Sequence, residues 1–70
     1  METESRRIRA ILGISRAEFS RRYHIPIRTL EEWDSGKNHP PVYIMELLER
    51  AVKEDAKKEL SKTLKKIIEN

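Results

Sequence analysis

The sequence predicts an all-α domain of four to five short helices. Three observations carry that prediction. Apolar residues recur at helical spacing, as Ile8–Ile11–Leu12, then Phe19–Tyr23, then Leu30–Trp33. Residues that start and stop helices fall between those runs: Gly13, Ser15, Pro26, Gly36 and Pro40-Pro41. The chain has 70 residues, enough for one domain and one modest core.

The first helix is expected over Met1 to Leu12, with Thr3 as a cap and Gly13 as its end. Ile14 then precedes Ser15, where it can pack on the next helix as a hydrophobic staple. Ser15 is a strong N-cap residue, and Glu18 completes a capping box with it. The second helix runs from Arg16 to Tyr23, with Phe19 and Tyr23 inward; Ser20 is placed to bond a carbonyl one turn earlier. His24 then falls at a turn position and Ile25-Pro26 breaks the helix, because proline disfavours helical geometry in the residue before it. Pro26 suits the start of the third helix, Ile27 to Asp34, and Gly36 ends it. Leu30 and Trp33 face inward on this helix, with Ile27 one turn before Leu30 partly covered, leaving Arg28, Glu31 and Glu32 outside. A fourth helix follows Pro40-Pro41, with Val42, Ile44, Met45, Leu47, Leu48, Ala51 and Val52 as a wide core-closing face. From Lys53 to Asn70 no glycine, proline or turn signal occurs, so a helical continuation is expected, either unbroken from Pro41 or with a bend near Glu54-Asp55. The chain thus divides into a domain over 1–53 and an extension over 54–70.

Charge is unevenly spread. Residues 1–28 carry seven arginines against three glutamates, residues 29–36 carry three acids and no base, and the remainder carries eight bases and six acids. Every base in the front part is arginine, whose planar fork suits phosphates and guanine edges. No stretch is long and apolar enough to cross a membrane, and no apolar run follows the N-terminal arginines, so neither an anchor nor a signal peptide is expected and a cytoplasmic setting fits. With no cysteine, no histidine–carboxylate cluster and no glycine-rich phosphate loop, the chain reads as a protein without enzymatic activity, cofactor or metal. His24 and His39 lack a second ligand at suitable spacing.

The stretch Ser15 to Pro40 resembles the helix-turn-helix of the XRE/Cro/C1 family of bacterial and phage repressors. The matching residues are Ser15, Arg16, Glu18, Phe19 and Ser20, then Thr29, then Asp34, Ser35, Gly36, Lys37 and Pro40. Trp33 before Asp34 is similar to a sub-group of small bacterial proteins in that family, and the resemblance covers roughly residues 5–53. It implies a lambda repressor-like fold in which the third helix enters the major groove. It also implies that Arg16 stands where the family has a DNA-contacting glutamine, and that Thr29 meets a phosphate. Ile27, Arg28, Glu31 and Glu32 would face base edges, with Lys37 and Asn38 near the DNA backbone. Arg21 and Arg22 can reach flanking phosphates. Arg28 suits a bidentate contact to guanine, Ile27 a thymine methyl, and a glutamate the cytosine amino group. Glu31 or Glu32 pairing with Arg28 is the other option for those acids.

Two functions remain open at this stage. One is a sequence-specific regulator that represses by occupying an operator, as a homodimer on double-stranded DNA. The other is an antitoxin-like module that neutralises a cognate toxin through its last helix, with Leu60, Leu64, Ile67 and Ile68 as the partner-binding stripe.

Overall fold

The computed structural model describes residues 3–69. Among them are four α-helices and no strand: α1 (Glu4–Leu12), α2 (Arg16–Tyr23), α3 (Ile27–Ser35) and α4 (Val42–Glu69). Met1 and Glu2, which the sequence placed in the first helix, and Asn70 lie outside the described residues.

The termini of α1 to α3 follow from their local chemistry. Thr3 stands extended before α1, but its hydroxyl makes no capping bond; its carbonyl accepts from the Arg7 N–H at 3.0 Å. Gly13 closes α1 at φ 64°, donating to the Arg9 and Ala10 carbonyls. Ser15 caps α2 by accepting from the Glu18 N–H at 3.1 Å. The return half of the capping box is not made. The Glu18 carboxylate pairs with Arg21 and Arg22 instead, charged partners that outbid a neutral amide. His24 ends α2 at φ 55°, the one non-glycine residue with positive φ among those described. Ser20 bonds forward to the Ile25 carbonyl at 2.6 Å and not back one turn, so its hydroxyl fastens the α2–α3 turn. Pro26 stands just before α3 and its carbonyl accepts the Leu30 N–H at 3.2 Å. Gly36 closes α3 at φ 80°.

Ile8, Phe19, Leu30, Met45 and Val52 form the core, one or two from each helix. Leu12, Ile14, Tyr23, Ile25, Trp33 and Leu48 pack around them, which gives Ile14 the packing role expected of it. Phe19 and Tyr23 stack with centroids 4.7 Å apart. α3 packs on α1 and α2, and α4 packs across α1.

The last helix continues past residue 53, as the absence of a turn signal predicted: it is one continuous helix of 28 residues, with no separate fifth helix among the described residues, and the molecule is 47 Å long. It departs from expectation in one way, since its first half does not bury a wide face. Met45, Leu48 and Val52 meet the core, whereas Val42, Tyr43, Ile44, Leu47 and Ala51 are exposed, Val42 by 73%. The main neighbour of α4 is the nine-residue α1, which covers one side of it.

Candidate nucleic-acid interface

The outer side of α3 is defined by what holds its inner side. Leu30 is fully buried, Trp33 packs against the core, and Asp34 is 2% exposed. Asp34 is the anchor. One carboxylate oxygen accepts from the Ser5 hydroxyl at 2.6 Å; the other accepts from Arg9 at 2.5 Å and Arg16 Nε at 3.0 Å. Three helices are thereby pinned to one buried charge. Burial by itself would push this carboxyl up, but the bonds from Arg9, Ser5 and Arg16 prevail and hold it below the usual carboxylate range.

With that side fixed, Ile27, Arg28 and Glu31 are exposed, while Thr29 and Glu32 are half-buried. The four charged side chains of α3 have different fates. Asp34 is spent internally. Glu31 lies 3.9 Å from Arg16, and Glu32 accepts from Asn38 Nδ2 at 2.7 Å. Neither glutamate pairs with Arg28. Arg28 makes no hydrogen bond or ion pair among the described residues.

The flanking residues are more constrained than the sequence implied. Arg16 stands at the first position of α2, beside α3, with its guanidinium shared between Asp34 and Glu31. Arg21 pairs with Glu18, and Arg22 is divided between Glu18 and Glu59 of α4, at 2.6 Å for the latter. The two arginines draw the Glu18 carboxyl below its usual range. Lys37 and Asn38 are exposed past the Gly36 cap; the Lys37 N–H donates to the Glu32 carbonyl at 3.0 Å, which fixes the loop on the end of α3.

Leu60, Leu64, Ile67 and Ile68 are all exposed, far from α3 in sequence and on the free part of α4. The expected boundary after residue 53 falls inside α4. Two ties continue past it: Tyr23 donates to Asp55 at 2.5 Å, and Arg22 meets Glu59. Burial and the bond to Asp55 push the Tyr23 phenol up.

Ser5, Arg9, Asp55 and Glu59 carry these ties, and sequence reasoning did not single them out. Ser5 had a signal, since it continues the Ile8–Leu12 side of α1 and so had to be buried and bonded. The pairs across α4 had none, because nothing local ties residue 22 or 23 to a helix thirty residues on. Elsewhere, Glu4, Arg7, His39, Glu46 and Glu49 line an open groove between α1 and the start of α4. Its carboxylates Glu4 and Glu49 already pair with Arg7.

Comparison of the chain with protein-family models, with curated proteins and with solved structures found no match. No helix among the described residues is long and apolar enough to cross a membrane.

Proposed function

We propose that this protein is a sequence-specific DNA-binding regulator with a lambda repressor-like helix-turn-helix, acting without catalysis by occupying an operator. The observation that carries the reading is the state of Arg28. It is the one charged side chain of α3 with no protein partner among the described residues, and it is exposed on a helix clamped from behind by Leu30, Trp33 and Asp34. A free guanidinium on a rigid helix of nine residues is what a guanine edge in the major groove requires. Ile27, one residue earlier, offers an apolar contact to a thymine methyl.

The acids on the same helix fit this reading because each has a partner. Arg16 faces Glu31 and offsets its repulsion from the phosphates, and Asn38 holds the Glu32 side chain in place. Arg21 and Lys37 are the flanking phosphate contacts, with Arg22 and Asn38 behind them. One such domain buries too little surface to be both tight and specific, so two copies are expected on the operator.

A second reading is favoured by one observation: the bare stripe on the end of α4. On that account the helix docks a cognate protein, such as a toxin, and the two roles coexist in one chain. Selection from a random duplex pool tests the first reading. Enrichment of a sequence family, with binding that weakens steeply as salt rises, supports it; unselective or absent binding at low salt refutes it.

A further inference from the structure

From Leu48 onward every fourth residue of α4 is apolar: Leu48, Val52, Ala56, Leu60, Leu64 and Ile68. A row at this spacing forms a ridge inclined to the helix axis. The body covers its first half, with Val52 fully buried and Leu48 and Ala56 half-buried. The second half is bare: Leu64 is 50% and Ile68 81% exposed, with Ile67 bare beside them. Among the described residues, the last tie between this helix and the body is Arg22–Glu59. Beyond it the helix projects about 15 Å, at about 1.5 Å per residue.

The charges around the stripe narrow what can cover it. Lys58, Lys62 and Lys66 lie on the far side, about 135–175° around from the stripe's centre at about 100° per residue, and Lys65 about 115° around. Lys57 alone falls near it. An acidic groove or an anionic bilayer gains most when cations flank the apolar side, where an occupant can reach them. Here an occupant seated on the stripe leaves the four lysines in water. What fits is a surface as narrow and as apolar as the stripe itself. The chain supplies one, because the row is symmetric about Leu64. In an antiparallel pair with its two-fold axis there, Leu64 meets its own copy and Leu60 meets Ile68 of the partner subunit.

We propose that the free end of α4 is the self-association surface, on which a second copy of this chain lays the same row antiparallel, crossing at Leu64. Ridges of this class interdigitate with the helix axes about 50° apart, so the two ends cross and do not wind into a coiled coil. The bare stripe also spans fewer heptads than the three or four that a coiled coil sustains. The contact is small, so the free dimer is weak, and binding of both copies to one duplex tightens it. This deepens the DNA-binding reading by naming what joins two copies, although its geometry does not depend on DNA.

The chain has no cysteine, so a single introduced thiol reports the contact. Leu64→Cys should oxidise to a covalent dimer about ten-fold faster than Lys62→Cys, which lies on the far side of the helix, because a disulfide needs Cα atoms within about 7 Å. Sedimentation equilibrium of the unaltered chain should show a dimer that holds or tightens as salt screens the lysines; docking onto an acidic partner would weaken instead. Leu64→Glu should sediment as a monomer with unchanged helix content. Equal oxidation rates at positions 64 and 62, or a wild-type chain that stays monomeric at about millimolar concentration, would overturn the proposal. A chain that dimerises this way yet binds no DNA sinks the regulator reading alone, and a DNA-binding chain with an inert Cys at 64 sinks this one alone.

Discussion

Asp34→Asn probes the joint that aims α3. The carboxylate side chain is 1% exposed and accepts three hydrogen bonds, two from arginines whose side chains are 19% and 36% exposed. Breaking a fully buried ion pair costs about 3–5 kcal/mol. The partial exposure of both arginines lets water take over some of the loss, so the expected cost is about 2–3 kcal/mol. A domain of this size has a total stability of about 4–10 kcal/mol, so the variant should fold but melt well below the parent. The pH dependence separates charge from shape. The folded carboxyl titrates below its usual range, so the unfolded chain takes up the proton first as pH falls. The stability due to this charge is complete above about pH 5 and is lost as pH falls through and below 4. Urea titrations followed by circular dichroism should therefore show a gap between parent and variant that is full at pH 7 and narrows towards pH 3. A gap of the same size at both pH values would mean that the charge network is not what pins α3.

Other outcomes follow from the same packing. Leu30→Ala should cost about 2–5 kcal/mol, whereas Leu47→Ala, on the exposed side of α4, should stay within about 0.5 kcal/mol; equal costs in thermal melts would contradict the placement of that helix. Tyr23→Phe removes the bond to Asp55 and should cost about 1–3 kcal/mol. The parent's Tyr23 phenol is held above its ordinary value, so its stabilisation is complete below about pH 10 and fades above it; the variant should lose that alkaline dependence in denaturant titrations. Ending the chain after Glu59 should leave melting unchanged, while ending it after Lys53 removes the partners of Tyr23 and Arg22 and should cost about 1–3 kcal/mol.

Much of the body was legible in the sequence because its signals are local. Ser15 three residues before Glu18, Pro26 after Ile25, and glycines at 13 and 36 each set a helix end through contacts within four residues. The inward places of Phe19, Leu30 and Trp33 followed from spacing. The extent of α4 was legible in the absence of any glycine, proline or turn signal after Lys53, but the fate of its apolar residues was not. Spacing shows that Leu47 and Val52 are both apolar, but only the position of α1 decides that Val52 is covered and Leu47 is not. For the candidate interface, the exposure of Arg28 was readable, whereas Ile27, whose place one turn before Leu30 pointed to partial cover, is exposed. The partners of Arg16, Glu31 and Glu32 were not, since each pair depends on how two elements meet. The bare residues of α4 also fall into two groups. Tyr43, Ile44, Leu47 and Ala51 sit about 130° around the helix from Leu60, Leu64, Ile67 and Ile68. One straight partner helix cannot cover both, so self-association through the end of α4 leaves the nearer patch open for a different contact.

The most direct measurement of the central claim is the affinity of Arg28→Ala, beside the parent, for a selected duplex and for a scrambled one at a single salt concentration. The account predicts a loss of about 1–3 kcal/mol on the selected duplex and a much smaller one on the scramble. An equal loss on both, or none on either, would contradict the assignment of Arg28 as the side chain that reads a base.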